Sequence, residues 1–478
     1  MSTTALSNAL DNPQVCARLM QFVPVRDALS CIRVCKFWTQ HFARSIWHTI
    51  DFSTHEAILK LDPETVQRYR HHIQAIENIS KQAHLEALGQ DIVINRLKGI
   101  SVLLSKTDTQ FNTHCHELIR ANKAGLTALE VEAEHRTEPW PVAFPLEDFL
   151  PEATSNWTSK LKKLMIMGFT MPHESLAIIL RSCPALISLD LWNTIVEPSE
   201  DGTEDRYQHP GLTYLIVDAD KLLVLNPVPG QSKSLLVHFP NLRTISTYGY
   251  VTNTFPITLF WDEIRRWCPG LRNLETNCTP APLIAKMLTH AFTGLARVHF
   301  DYDAAAADIF LSLLVHRRTL VKVSSATTWS GFYDKEAVRE VKDPLEGETW
   351  MVQCIPQQCQ QLEELFLPEH AMNMDEVEKK EWQCRGLKDL RIRVQGIDTA
   401  EAIDRVVATW HRRRRVKLGL DLEFRSVNGD MIGLEAGAER DMVTKEQTGT
   451  TLEERVVRHL LKFDKLKSVW LGKAVHRP

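Results

Sequence analysis

Apolar positions recur along most of the chain in the order Leu-x-x-Leu-x-Leu, with Ile, Val or Phe replacing leucine in some copies. Clear copies begin at Leu161, Leu186, Leu362 and Leu387, and many neighbouring copies start 24 to 30 residues apart. The alternating end of each copy predicts a β-strand, because successive side chains of a strand point to opposite faces. The pattern therefore predicts a series of short strands at a nearly regular spacing.

A second regularity precedes these strands. The residue three positions before the leading leucine is often Cys, His or Phe followed by proline, as at Cys183, His209, Phe239 and Cys268. Proline prevents helix continuation and favours extended backbone before it, so it marks a change from helix to strand. We expect the Cys or Phe to fill the core at this corner, which gives these cysteines a packing role.

Between the strands, apolar residues recur at helical spacing. The segments concerned are residues 172–182, 258–267, 282–292, 304–316 and 399–410. One strand and one helix per repeat predict an α/β fold with a parallel sheet inside and helices outside. A non-repetitive α/β domain with several such strands is the alternative.

The first fifty residues follow another pattern. Pro13 fits the first position of a helix capped by Asp11 or Asn12, and Pro24 ends that helix. Two further short helices carrying Leu29 and Trp38 are predicted after it. Three short helices bury only a small core of their own, so we expect a partner to cover the apolar surface that remains.

This segment, residues 8–52, resembles the F-box. The resemblance is carried by Pro13, Leu19, Pro24, Leu29, the block Val34-Cys35-Lys36-Phe37-Trp38 and Trp47. In that family the motif binds the Skp-type adaptor of a cullin ubiquitin ligase. The residues expected to contact the adaptor are Pro13, Val15, Leu19, Pro24, Leu29, Val34, Cys35 and Trp38. Asn12 and Gln14 depart from the leucine and the acidic residue that are usual in the family.

The repeat spacing is close to the period of leucine-rich repeats, about 20–29 residues. Residues 96–478 resemble the leucine-rich repeats of F-box proteins, and the order of the two parts is similar to the fungal type of F-box/leucine-rich-repeat protein. The resemblance implies an irregular solenoid with insertions at about 329–351 and 424–453. Residues 53–95 are predicted to form a helical linker or a first repeat cap.

Composition limits the classes of function. The chain has 478 residues, of which 44% are hydrophobic and 24% charged, as in ordinary globular proteins. A formal net charge of -4 attracts neither nucleic acid nor an anionic membrane. We expect no secretory signal at the start, and no apolar stretch is long enough to span a membrane. We interpret the ten cysteines as reduced thiols of a cytoplasmic or nuclear protein.

Catalytic and metal-binding signatures are incomplete. His116 and Glu117 are followed by Arg120 where a zinc-protease helix has its second histidine, so we expect no metal there. We expect no cofactor and no catalytic activity. The basic run from His411 to Arg415 fits a solvated helix end, which favours cations; phosphate binding or nuclear import is the alternative.

The inner face of the sheet is the expected binding surface. Its central side chains should be Met165, Asp190, Ile216, Ser246, Glu275, His299, Ser324, Phe366, Arg391 and Trp470. Their mixed chemistry favours a protein target, contacted by Asp190, Glu275, His299, Phe366, Arg391 and Trp470. The sequence therefore predicts a substrate-recognition subunit of a Skp–cullin–F-box ubiquitin ligase, and a repeat scaffold without a ligase role is the alternative.

Overall fold

The computed structural model describes residues 12–19, 23, 27, 30–54, 56–89, 94, 96–134, 140–143, 159–197, 207–225, 232–248, 255–276, 281–291, 294–301, 307–326, 349–417 and 451–471. The chain divides into two compact units. The first comprises Met1–Gly249 and Glu263–Leu271, and the second Tyr250–Asp262 and Arg272–Pro478. Within the described ranges, no helix combines the length and apolarity needed to cross a membrane.

The first unit contains a parallel sheet whose strands pair in the order in which they follow one another along the chain, apart from the small sheets given below. These strands are β1 (Thr49–Asp51), β2 (Ala75–Ile79), β3 (Gly99–Leu104), β4 (Ala128–Ala133), β6 (Lys163–Met167), β8 (Ser188–Leu191), β10 (Tyr214–Asp218) and β13 (Thr244–Tyr248). A small parallel sheet joins β5 (Trp140–Ala143), β7 (Phe169–Pro172) and β9 (Ile195–Glu197), and β11 (Leu223–Leu225) pairs antiparallel with β12 (Ser232–Ser234).

The helices of the first unit lie before, between and after these strands. They are α1 (Pro13–Leu19), α2 (Lys36–Ile46), α3 (Pro63–Tyr69), α4 (Gln82–Leu88), α5 (Thr109–Asn122), α6 (His173–Ser182) and α7 (Ala219–Leu222), and α8 (Ile257–Trp267) includes residues of both units. Three short 3-10 helices cover Glu56–Lys60, Arg70–His72 and Leu235–His238.

The second unit repeats the same arrangement of parallel strands in chain order. Its strands are β14 (Asn273–Thr276), β15 (Arg297–Asp301), β16 (Lys322–Ala326), β17 (Glu364–Met372), β18 (Asp389–Val394) and β19 (Ser468–Leu471). Its helices are α9 (Ala281–His290), α10 (Ala307–Leu313), α11 (Thr349–Gln358), α12 (Met374–Lys379), α13 (Ala400–Lys417) and α14 (Leu452–Leu460), with a 3-10 turn at Leu314–His316.

The prediction of an α/β fold with a parallel sheet and helices is therefore confirmed. The leading leucines of all copies of the repeat pattern are at most 3% exposed: Leu97, Leu126, Leu161, Leu186, Leu212, Leu242, Leu271, Leu295, Leu320, Leu362, Leu387 and Leu466. The corner residues are also buried, at 2% exposure or less: Cys183, His209, Phe239, Cys268, Cys359, Cys384 and Phe463. The thiol of Cys268 donates to the carbonyl of Phe239 at 3.2 Å, which ties one corner to the preceding one.

Several described elements lie at or inside the edges of the predicted segments. Parallel pairing begins at β1 and β2, inside the segments assigned to the N-terminal motif and the helical linker. These two strands lack the leucine pattern. Backbone hydrogen bonding defines them, and the leucine pattern does not predict that bonding. Helix α11 starts at Thr349, within the first predicted insertion, and α14 starts at Leu452, within the second. The rest of both insertions, residues 329–348 and 424–450, lies outside the described residues.

Candidate functional site

Strand register aligns the predicted binding residues of the second unit in one row across its sheet. Adjacent strands pair Glu275 with His299, His299 with Ser324, Ser324 with Phe366, Phe366 with Arg391 and Arg391 with Trp470. We call this set the central row. From Ser324 onward, the solvent exposure of these side chains increases along the row. Ser324 is buried, Phe366 is half-buried, and Arg391 and Trp470 are exposed.

At the exposed end of the central row, a cation lies between two aromatic rings. The guanidinium carbon of Arg391 is 5.1 Å from the ring centroid of Phe366 and 4.8 Å from that of Trp470. The indole N–H of Trp470 donates to the hydroxyl of Ser468 at 3.1 Å, which helps to fix the orientation of the ring. Trp470 remains 57% exposed. We call Phe366, Arg391 and Trp470 the Arg391 clamp.

Lys322 also contributes to this surface, although sequence reasoning missed it. Its ammonium nitrogen lies 5.1 Å from the ring centroid of Phe366 and 2.6 Å from a carboxylate oxygen of Glu364. Lys322 precedes Ser324 by two positions on β16, so it shares a face with the central row. Strand alternation could have identified it, but only if residues beyond the centre of each strand had been considered.

The middle of the central row is held together by a hydrogen bond. The Nδ1 atom of His299 lies 2.9 Å from the hydroxyl oxygen of Ser324. Burial lowers the pKa of His299 below its ordinary value; the nearby Glu275 carboxylate opposes this shift and the Lys322 ammonium adds to it. A neutral histidine paired with a hydroxyl offers a polar surface with no fixed charge.

In the first unit the corresponding row consists of Met165, Asp190, Ile216 and Ser246. The exposure expected of Asp190 and Ser246 is wrong, because they are 5% and 0% exposed. Strand alternation determines which face a side chain occupies, whereas the neighbouring side chains determine whether solvent reaches it. Asp190 therefore offers little surface to a partner, although it was predicted to contact the target.

The environment of Asp190 changes its protonation. Burial raises the pKa of Asp190 to about 7, and the neighbouring carboxylates of Glu130 and Asp218 act in the same direction. The N–H of Trp192, which donates to its Oδ1 atom at 3.0 Å, and the ammonium of Lys163 oppose the shift. Asp190 is therefore a buried carboxyl that is partly protonated near neutral pH.

A shallow hollow lies near this carboxyl, at the ends of the strands. Glu132, Ala133, Met167, Gly168, Trp192 and Asn193 line about 160 Å³ of space that is partly open to solvent. The hollow is therefore too small and too open to enclose a substrate.

The N-terminal helices expose several of the residues predicted to contact an adaptor. Val34 is 63% exposed and Val15 is 36% exposed, and Cys35 is also exposed. Leu19 and Trp38 are half-buried. The structure does not describe Pro24 or Leu29, nor the side chain of Pro13.

Contacts within the N-terminal segment stabilise these helices. The side-chain amide oxygen of Asn12 accepts the N–H of Gln14 at 2.9 Å, so Asn12 caps α1. In α2, the ring of Trp38 stacks on that of Phe42 with centroids 5.2 Å apart, and Phe42 is 1% exposed. The Thr39 hydroxyl donates to the carbonyl of Ile32 at 2.6 Å, which connects α2 to the turn before it.

The basic run from His411 to Arg415 takes part in packing to a greater extent than its sequence indicates. It lies within α13 rather than after it, because that helix continues to Lys417. Arg413 pairs with Glu454 at 2.6 Å and Lys417 with Asp464 at 2.6 Å, while Arg414 lies over the ring of Trp410 at 5.2 Å. Arg414 also donates to the carbonyl of Asp464 at 3.3 Å, so Arg413 and Arg414 of the run, together with Lys417 after it, contact the last repeat.

Two groups of residues thus remain as candidate sites, the exposed apolar side chains of α1 and the turn before α2, and the Arg391 clamp. No protein-family model matches the chain, and no curated protein matches it.

Proposed function

We propose that this chain is a non-catalytic substrate-recognition subunit of a Skp–cullin–F-box ubiquitin ligase. The observation that carries the proposal is the exposure of Val15, Val34 and Cys35 on a helical segment that is anchored by the buried Phe42. An apolar surface held by a folded support is typical of a docking site. By resemblance to the F-box, the partner would be the Skp-type adaptor.

The repeats would then hold the target protein. The exposed end of the central row combines aromatic and charged side chains, which suits a protein surface more than a nucleic-acid backbone. Ubiquitin transfer would be carried out by other subunits, and this chain would raise the concentration of the target near them. The complex would act in the cytoplasm or the nucleus.

A pull-down with a purified Skp-type adaptor tests the proposal. Val34→Asp places a charge on the exposed apolar surface, and Val416→Asp is a matched control because Val416 is also an exposed valine, at 65% against 63%. We expect the wild type and the control to capture the adaptor, and Val34→Asp to lose at least ~10-fold in affinity through burial of an unpaired charge.

The alternative is a repeat scaffold that does not bind the adaptor. Asn12 and Gln14, which replace the residues usual in the F-box, favour this alternative. No capture by the wild type, or equal capture by wild type and Val34→Asp, would remove the ligase role and leave the scaffold.

A further inference from the structure

In the Arg391 clamp, the N–H donors of the guanidinium remain available for hydrogen bonds to another molecule. Rings lie on both sides of the guanidinium, with centroids 5.1 and 4.8 Å from its central carbon. Arg391 is exposed, and its N–H donors make no side-chain hydrogen bond within the part of the chain that the structure describes. The edge of the Arg391 guanidinium is therefore available to an acceptor from another molecule.

The neighbouring cations do not share this property. Lys322 lies 2.6 Å from Glu364, Lys388 lies 2.6 Å from Glu363, and Arg393 lies 3.4 Å from Asp398. None of the carboxylates in the described part of the chain pairs with Arg391. An exposed arginine that lies between aromatic rings, beside three cations that are each paired with a carboxylate, is arranged for recognition.

We propose that the Arg391 clamp binds the carboxylate of an aspartate or glutamate side chain in an acidic peptide segment of the target. A carboxylate matches the guanidinium fork with two parallel hydrogen bonds. The exposed ring of Trp470 adds an apolar surface for the residue beside the acid. The inference rests on the proposed function only in taking the peptide to be part of a ligase target.

The charges around the clamp favour a carboxylate over a phosphate. Asp389 precedes Arg391 by two residues on β18 and therefore lies on the same face of the sheet. Its negative charge opposes a phosphate, with almost two charges, more strongly than a carboxylate with one. Glu364, the other acid near the clamp, is already paired with Lys322.

Labelled synthetic peptides test this inference on the full chain. Each is a twelve-residue peptide of Ala, Gly and Leu with Glu, Gln or phosphoserine at its centre, followed by Leu, and its affinity is measured by fluorescence polarisation. We expect the Glu peptide to bind at least ~10-fold more tightly than the Gln peptide, because it adds charge-assisted hydrogen bonds. We also expect it to bind more tightly than the phosphoserine peptide.

Variants of the clamp assign this preference to Arg391. Arg391→Gln should abolish the preference for Glu, and Arg391→Lys should lose most of it, because lysine keeps the charge without the planar fork. Arg412→Gln is the matched control, since Arg412 is also exposed but lies on α13 outside the central row. Circular dichroism confirms that each variant is folded; if Arg391→Gln is not, Trp470→Ala replaces it and should weaken Glu binding.

Equal affinity for the Glu and Gln peptides would overturn the inference. So would tighter binding of phosphoserine, or a preference for Glu that survives Arg391→Gln. The assay contains no adaptor, so its failure is independent of the adaptor pull-down. A chain that captures the adaptor without preferring acidic peptides would refute the clamp alone, and the reverse result would refute the ligase role alone.

Discussion

The Oδ1 atom of Asp190 accepts the backbone N–H of Trp192 at 3.0 Å, while the residue is only 5% exposed. The sheet thus buries a carboxyl group on the face where the sequence predicts a binding residue. Burial raises the pKa of this carboxyl to about 7, and Glu130 and Asp218 add to the shift. This arrangement costs stability whenever the group is ionised.

Asp190→Asn should therefore stabilise the first unit at high pH. A carboxyl whose pKa is raised by folding stabilises the folded state fully when the pH is below its unfolded pKa of 3.8. This stabilisation is lost as the pH rises through the folded pKa of about 7. Asparagine can still accept the Trp192 N–H but carries no charge. We expect a gain of about 2–4 kcal/mol in the free energy of unfolding at pH 8, shrinking toward pH 4, as measured by urea denaturation.

Asp404→Asn is the control for this experiment, because Asp404 is an exposed aspartate on α13. Its stability should follow that of the wild type at both pH values. A loss of stability in Asp190→Asn at pH 8 would show that the ionised carboxylate is favourable where it lies.

The second unit should respond to pH in the opposite direction. Burial lowers the pKa of His370 to about 4 and that of His459 to about 3, from 6.5. Both rings are therefore neutral in the folded state. Their contribution to the free energy of unfolding is fully present above pH 6.5 and is lost as the pH falls toward 4, because the unfolded chain takes up protons that the folded chain does not. We expect the urea midpoint to decrease between pH 7 and pH 5.

His459→Phe should reduce that decrease, because it removes the proton site and keeps a ring against Trp382, whose centroid lies 4.7 Å away. His290→Gln replaces an exposed histidine and should leave the decrease unchanged. If His459→Phe loses as much stability on acidification as the wild type, His459 does not contribute to the acid sensitivity.

The cysteines should differ sharply in reactivity. Cys35 is exposed, whereas burial raises the pKa of Cys268 and of Cys384 to about 12. Since the thiolate is the reactive form, N-ethylmaleimide should label Cys35 in the native protein and the two buried cysteines only in urea. Peptide mass spectrometry measures the labelling at each site. Native labelling of Cys268 would contradict the corner packing inferred for it.

Trp47 should hold the N-terminal helices against α3. Its ring stacks on that of Tyr69 with centroids 5.2 Å apart. Trp47→Ala removes this half-buried contact, and we expect a local loss of about 1–3 kcal/mol. Limited proteolysis should then cleave between α2 and β1 faster than in the wild type. Trp470→Ala, which removes an exposed ring, should leave that cleavage rate unchanged; equal rates in all three proteins would refute the anchoring role.

Sequence reasoning located most of the strands from β3 onward, because burial of the repeated leucines requires a fixed alternation along each strand. It also placed the corner residues correctly: Cys183 and Cys268 are fully buried. It missed β1 and β2, where Ile50 and Ile76 pair in register without any leucine pattern. Two strands pair through backbone groups that are far apart in the sequence. A local side-chain pattern predicts such a pair only where the same pattern recurs in both strands.

The amino-acid sequence by itself determined the parallel α/β arrangement, since the period of its apolar residues allows few other ways to bury them. It also determined that Phe366, Arg391 and Trp470 share a face. Only the tertiary structure decided that Arg391 lies between two rings while Asp190, on the corresponding face of the first unit, is buried. Alternation sets the direction of a side chain, but solvent access and partners depend on residues far away in the chain.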